Sequence, residues 1–256
     1  MISKNLTKLI RSLEIKKNRE RNGLFVAEGP KTVGDLAAVS RPKIIIATQE
    51  WLDKNGSEAA DGCITATEEE LRKVSFLQHP QQVIGLFHIP QPTFAPEICR
   101  RELCIALDKV QDPGNLGTII RIADWFGIST ILCNEGTVDA FNPKAVQATM
   151  GSIARVNIVY TDLATTLDNL PDGTPIYATS LDGNNIYSQE LSPAGIIIMG
   201  NEGNGVSPEI MEKANRTLFI PSYSKTRGID SLNVAIATAV TCAEFKRRSY
   251  IPPINY

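Results

Sequence analysis

Histidine is scarce in this sequence, with only His79 and His88 in 256 residues, and the five cysteines (Cys63, Cys99, Cys104, Cys133, Cys242) form no Cys-x-x-Cys pair. Without clustered soft ligands no zinc site is expected, and without a regular cysteine spacing no disulfide framework is expected; the thiols read as small buried hydrophobes in a reducing compartment. No apolar run reaches the length of a membrane span, and the longest candidates, such as Gly195–Gly200, have the length of a strand. The opening residues Met1-Ile2-Ser3-Lys4-Asn5 lack the apolar core of a secretion signal, so a cytoplasmic protein with no membrane partner is expected. A large excess of one charge is missing as well. The net charge is −2, which does not point to a polyanion partner.

Apolar residues make up 43% of the chain, enough for one large or two smaller hydrophobic cores. Charge is unevenly spread along it. Residues 4–21 hold Lys4, Lys8, Arg11, Lys16, Lys17, Arg19 and Arg21 against Glu14 and Glu20. Such a cluster can contact phosphates, or it can be a solvated helical face.

Ile89-Pro90-Gln91-Pro92-Thr93-Phe94-Ala95-Pro96 carries three prolines in eight residues, which removes backbone donors and forbids helix. We read it as a linker that closes an N-terminal domain, 1–97, and precedes a larger domain, 98–256. In the first domain, residues 3–13 read as a helix, Leu24–Ala27, Lys43–Ala47 and Val83–Phe87 as strands, and Gly29-Pro30 as a helix start, giving a small α/β domain. In the second, strands are expected at Leu103–Val110, Thr130–Cys133, Val156–Val159, Ile176–Thr179, Ile196–Met199 and Leu218–Ile220. Helices alternate with them at 115–126, 142–150, 162–169, 207–214 and 231–247. That alternation predicts an α/β fold, a mostly parallel sheet covered by helices on both faces, with chemistry in loops beyond the strand ends.

Three such loops carry suitable residues. Asp112-Pro113-Gly114-Asn115 makes a turn in which Asn115 is a candidate N-cap, and Arg121 projects from the following helix, where a guanidinium can grip a phosphate with paired donors or can pair with Asp124. Gly200-Asn201-Glu202-Gly203-Asn204-Gly205 follows a buried strand, and Ser207 and Pro208 suit the start of the next helix. Its spacing is neither the dinucleotide fingerprint nor a P-loop, although glycines would let backbone amides approach a ligand. After Ile220-Pro221, Ser231-Leu232-Asn233-Val234 opens a helix that is apolar nearly all round. Ser231 is its candidate cap, Asn233 is either a local cap or a buried amide in need of partners, and burial is expected, in part against a second subunit.

In this order, Asn115-x-Gly117-x-x-x-Arg121, Gly200-Asn201-Glu202-Gly203 with Gly205, and Ser231-Leu232-Asn233-Val234 resemble the three motifs of the SpoU–TrmH class of SPOUT RNA methyltransferases, over roughly residues 102–248. Gly23-Leu24-Phe25-Val26-Ala27-Glu28-Gly29 resembles the start of the substrate-binding domain of longer members. The resemblance implies a C-terminal trefoil knot, a homodimer through the last helix, and S-adenosyl-L-methionine bent among three loops: Thr179, Ser180 and Leu181; Met199, Gly200, Asn201 and Gly203; Ile220 with Leu232, Asn233 and Ala235. It implies methyl transfer to a ribose 2′-hydroxyl of structured RNA, ribosomal in preference to transfer RNA, with Arg121, Asn115, Glu202, Ser231 and Asn233 as catalytic residues and no metal. The family assigns the arginine as base. The high pKa of a guanidinium favours a phosphate anchor instead. Residues 222–230 are longer than the family pattern by about three, a change surface loops tolerate; Lys225 and Arg227 in that segment are further candidate RNA contacts. A non-catalytic RNA-binding or ribosome-assembly factor that keeps the fold is the alternative.

Overall fold

The structure, a computed structural model, describes residues 1–56, 60–224 and 231–249. The chain forms two compact units, one of residues 1–91 with 139–155, the other of residues 92–138 with 156–256.

In the first unit, strands β1 (Leu24–Glu28), β2 (Ile44–Ala47), β3 (Cys63–Thr65) and β4 (Val83–His88) make a sheet ordered β1-β4-β2-β3. β4 runs antiparallel to both neighbours, and β2 pairs with β3 in parallel. Helices α1 (Lys4–Ser12), α2 (Lys16–Asn22), α3 (Pro30–Ala37), α4 (Gln49–Asn55) and α5 (Glu68–Val74) complete the N-terminal stretch. Local chemistry accounts for several starts. The Ser3 side chain caps α1, proline occupies the first turn of α3, and Thr67 and Glu70 form a reciprocal capping box on α5. Ile10 and Leu13 pack with Leu24, Val26, Ile46, Leu71 and Leu86 in one core.

This packing corrects one member of the basic cluster. Arg19 is 1% exposed; its Nε and Nη2 donate to Asp139 Oδ2 at 2.9 and 2.6 Å, and its Nη1 donates to the carbonyls of Leu13 and Glu14. A guanidinium with its donors committed inside the unit does not reach a phosphate at the surface. Arg11 remains exposed, but it donates to the Lys73 carbonyl and lies over the Phe76 ring. Lys4, Lys8, Lys16, Lys17 and Arg21 are exposed.

The second unit is built on six parallel strands in the order β10-β8-β9-β5-β6-β7. They are β5 (Leu103–Leu107), β6 (Thr130–Cys133), β7 (Asn157–Tyr160), β8 (Ile176–Asn185), β9 (Gly195–Met199) and β10 (Arg216–Phe219). Between them run helices α6 (Pro113–Trp125), α8 (Leu163–Asp168) and α9 (Pro208–Met211), and α10 (Val234–Ser249) follows the last strand; α7 (Pro143–Ala148) lies in the 139–155 segment that packs with the first unit. The 139–155 stretch, expected as part of the 98–256 domain, thus packs with the N-terminal core, where the Phe141 ring lies 4.9 Å from that of Phe25, tilted against it. Alternate residues of the strands face opposite ways, and both sets are buried: Cys104, Ala106, Ile196 and Ile198 pack with Leu163 and Ile210, while Tyr177 meets Phe245 of α10 edge-on at 4.9 Å.

Several boundaries differ from expectation for local reasons. β5 stops at Leu107, because Lys109 turns the chain at φ +61°. β8 runs to Asn185, and its register with β10 jumps from Ala178–Thr217 to Asn184–Leu218, so residues 179–183 bow away from the ladder. Gly183 sits where an added Cβ would lie 2.7 Å from the Leu218 carbonyl carbon, which only glycine tolerates. α9 is four residues long, shorter than the 207–214 expected. One face of α10 is buried through Val234, Ala235, Thr238, Cys242 and Phe245, whereas Ile236 and the preceding Leu232 are 53% and 49% exposed. Burial all round is therefore not what the chain shows. No helix among the described residues is long and apolar enough to cross a membrane.

Candidate active site

β5, β9, β8 and β10 are neighbours and parallel, so the loops at their carboxyl ends open on one edge of the sheet. At the end of β5, Asp112 caps α6: its Oδ1 accepts the Asn115 N–H at 2.8 Å, and Pro113 fills the first helical position. The cap expected of Asn115 belongs to Asp112, and that leaves the Asn115 amide available for other partners. The Asp-Pro pair before the helix was a legible signal for this arrangement. On the third loop the cap moves the other way. Asn233, not Ser231, accepts the N–H groups of Ala235 and Ile236 through Oδ1 at 3.0 and 3.3 Å.

These caps fix the polarity of a chain of hydrogen bonds through all three loops. With its oxygen committed to α10, Asn233 donates from Nδ2 to Asn115 Oδ1 at 2.9 Å. Asn115 must then turn its own Nδ2 outward, and it donates to Glu202 Oε1 at 3.0 Å. Glu202 also accepts the backbone N–H groups of Gln111 and Asp112, each at 3.3 Å. Only an acceptor can end such a chain, and a carboxylate ends it best. Partial burial pushes the Glu202 carboxyl up, but the donors from Asn115, Gln111 and Asp112 outweigh it and hold it below the usual range.

The second loop is tightly folded on itself. Asn201 and Gly205 exchange backbone hydrogen bonds at 2.9 and 3.0 Å, and Asn201 Oδ1 accepts the N–H groups of Gly203 and Asn204. A Cβ on Gly200 would overlap the Gly205 carbonyl carbon, so the backbone there closes to a distance no side chain permits. Asn201 braces the loop with its whole amide, because Nδ2 donates to the Lys109 carbonyl at 2.8 Å.

Of the other expected residues, Thr179 is half-buried with Oγ1 donating to the Ile198 carbonyl at 3.0 Å, Ser180 Oγ accepts the Asp182 N–H, and Leu181 is 61% exposed. Met199 and Ala235 are buried, Ile220 is half-buried, and Gly203, Ser231 and Leu232 are exposed. Arg121 is exposed on α6, six residues beyond Asn115. Asn115, Glu202 and Asn233 are thus joined directly. Lys225 and Arg227 lie outside the described residues. Sequence reasoning missed Gln111, Asp112, Asp108 and Asn134, whose contributions are a backbone donor, a cap and two hydrogen-bonding side chains behind the loops. Among the described residues no group of three or more His, Cys, Asp or Glu side chains is placed to share a metal ion.

Residues 102–243, which contain all three loops, match the SpoU rRNA methylase family. The chain belongs to that family. Residues 4–85 match the MRM3-like substrate-binding domain, which accompanies the SpoU domain in this chain. The chain is 34% identical over 234 residues to the 23S rRNA (guanosine(2553)-2′-O)-methyltransferase RlmP of Bacillus subtilis, covering 90% of this chain and 91% of that one. Among solved structures, a TrmH-family protein from Porphyromonas gingivalis superposes with a TM-score of 0.88 at 36% identity, covering 97% of this chain and 99% of the other. An AdoMet-bound rRNA methyltransferase from Sinorhizobium meliloti gives 0.86 at 31% identity, covering 98% and 97%. The α/β fold with a mostly parallel sheet is shared with these SpoU-family structures.

Proposed function

We propose that this chain transfers the methyl group of S-adenosyl-L-methionine to a ribose 2′-hydroxyl of ribosomal RNA. The observation that carries the reading is the hydrogen-bonded line Asn233–Asn115–Glu202, which ties the three family loops into one rigid edge. The residues suit the cofactor. Gly200 lets backbone approach closely, and Leu181, in the part of β8 that bows away from the ladder, and Leu232, just before α10, present apolar side chains, as a flat heterocycle requires. Thr179, Ser180, Met199, Gly203, Ile220 and Ala235 complete the proposed binding set, with Asn201 as its brace. The bound sulfonium supplies an electrophilic methyl carbon.

The chain's own residues then have to hold the sugar. Arg121 grips the phosphate next to the target ribose through its forked donors, and Ser231, Asn115 and Asn233 orient the hydroxyl. Alignment of this kind contributes on the order of 7 kcal/mol or more in favourable cases. A guanidinium is too weak an acid to serve as a general base near neutral pH, so Arg121 acts here as anchor and electrostatic stabiliser, with phosphate or water taking the hydroxyl proton. Lys4, Lys8, Arg11, Lys16, Lys17 and Arg21 in the N-terminal substrate-binding domain supply phosphate contacts, and catalysis belongs to the 98–256 part of the chain, whose residues 139–155 pack with the first unit. The reading extends to a trefoil knot, to a homodimer supported by exposed Ile236 on α10 and Leu232 just before it, to a cytoplasmic location, and to ribosomal over transfer RNA, supported by the relatives' substrates.

Incubation with methyl-labelled S-adenosyl-L-methionine and ribosomal RNA, followed by nucleoside digestion, is expected to yield 2′-O-methylated nucleosides. Arg121→Lys is expected to lower turnover at least about tenfold, since it keeps charge and loses the fork. No label in RNA, despite measured cofactor binding, would move the protein to the non-catalytic alternative. Label on a base would overturn the ribose assignment.

A further inference from the structure

Asp108 is 1% exposed at the end of β5, and each carboxylate oxygen has its own donor. Oδ2 accepts the Ser207 N–H at 2.7 Å, and Oδ1 accepts Asn134 Nδ2 at 2.8 Å. The orientation of Asn134 is dictated from its other side, where Oδ1 accepts the N–H groups of Glu135 and Leu163 at 3.0 and 3.2 Å. The next residue after Asp108, Lys109, stands at φ +61°, a conformation that side chains seldom adopt, and so turns its carbonyl to Asn201 Nδ2 at 2.8 Å. Two consecutive residues thus grip the 200–207 loop at both ends, Lys109 at its entry and Asp108 at its exit. A backbone outlier held at a ligand-bearing edge is the kind of strain that surrounding structure sustains for a purpose. Ser207 precedes the first turn of α9, so its N–H has no place in the helical ladder and serves Asp108 instead.

We propose that Asp108, Asn134 and Lys109 are positioning residues that set the affinity of the 200–207 loop for the methyl donor. The inference rests on the methyltransferase reading above and goes beyond it by assigning these three residues a role. The three do not touch the donor. They hold the Gly200–Gly205 backbone in the one shape that accepts it, so losing them weakens donor binding and leaves RNA binding alone.

The polarity of the Asp108–Asn134 pair provides the test. Asp108→Asn sets two amide NH2 groups against each other, and Asn134→Asp sets two carboxylates together. The double variant D108N/N134D restores one donor facing one acceptor at unchanged total charge, and the amide oxygen it introduces at position 108 still accepts from Ser207. Dissociation constants for S-adenosyl-L-methionine by calorimetry, KM for each substrate, and melting temperatures are measured on the full chain. Each single variant is expected to bind the donor about tenfold or more weakly, with KM for RNA within about twofold, and the double variant is expected to recover donor affinity to within about threefold. Lys109→Val, which resists positive φ, is expected to weaken donor binding in the same selective way.

If a single variant does not fold, the double variant and Lys109→Val decide. A double variant that melts like the parent but binds the donor no better than the singles overturns the proposal, as do folded single variants with parental affinity. Failure of the parent itself to bind S-adenosyl-L-methionine overturns the methyltransferase reading and this proposal with it, a result distinct from the other two.

Discussion

Glu202 shows how far a residue's role depends on what it ends. Asparagine can present either an oxygen or an NH2, and Asn115 and Asn233 are set one way only because α10 claims one oxygen and a carboxylate terminates the line. Glu202→Gln keeps shape and removes charge, yet its NH2 would face the donors of Gln111, Asp112 or Asn115. We expect a loss of about tenfold in S-adenosyl-L-methionine affinity by calorimetry. The acid limb follows with a definite sign. The folded-state carboxyl lies below its free value of 4.5, so its contribution is full above that pH and fades as pH falls through the depressed value. Donor affinity of the parent should decline in that window, and the Glu202→Gln variant should be weak and flat across it. An unchanged affinity in the variant would show that the line needs no anion.

Among the elements, β8 carries most of what periodicity alone misses. Ile176–Thr179 was legible as a strand because it is apolar and β-branched, but its continuation through Ser180-Leu181-Asp182-Gly183-Asn184-Asn185 has no strand composition, and only its end, Asn184 and Asn185, pairs with β10 across a register jump. Gly183 permits that pairing, since Leu218 backbone occupies the place of a side chain. Gly183→Ala should destabilise the chain by about 1–3 kcal/mol in denaturant unfolding, because backbone on both sides cannot relax as a side chain would. Parental stability in that variant would mean that β10 shifts freely. α10 is similarly a matter of partners. Its sequence reads as apolar all round, but Arg248 binds Glu244 and the carbonyls of Ile186, Tyr187 and Gln189, which fixes one face against the short helical turn that follows β8.

At the scale of the whole molecule, the boundary read from the prolines cuts the chain once, whereas the compact units recruit residues 139–155 into the N-terminal core. Asp139 is the charge that makes Arg19 tolerable inside, with side chains 2% and 13% exposed for Arg19 and Asp139. Asp139→Ala leaves a guanidinium buried without its counter-charge and should cost about 3–5 kcal/mol of unfolding free energy. Replacing both residues with apolar ones should recover much of that loss, and a double variant as unstable as the single would show that the cost comes from packing rather than charge.

The order of strands and helices in the second unit, the three loops, and the residues Asn115, Glu202 and Asn233 were all determined by the sequence, because hydrophobic period, turn chemistry and motif spacing are local properties written along the chain. Only the tertiary structure decided that Asn233, Asn115 and Glu202 meet in one line, that Arg19 faces inward while its neighbours face water, and that Asp108 reaches from one strand to two loops. Those outcomes depend on which donor and acceptor meet across the fold once water is excluded, and a sequence carries the groups without carrying their distances.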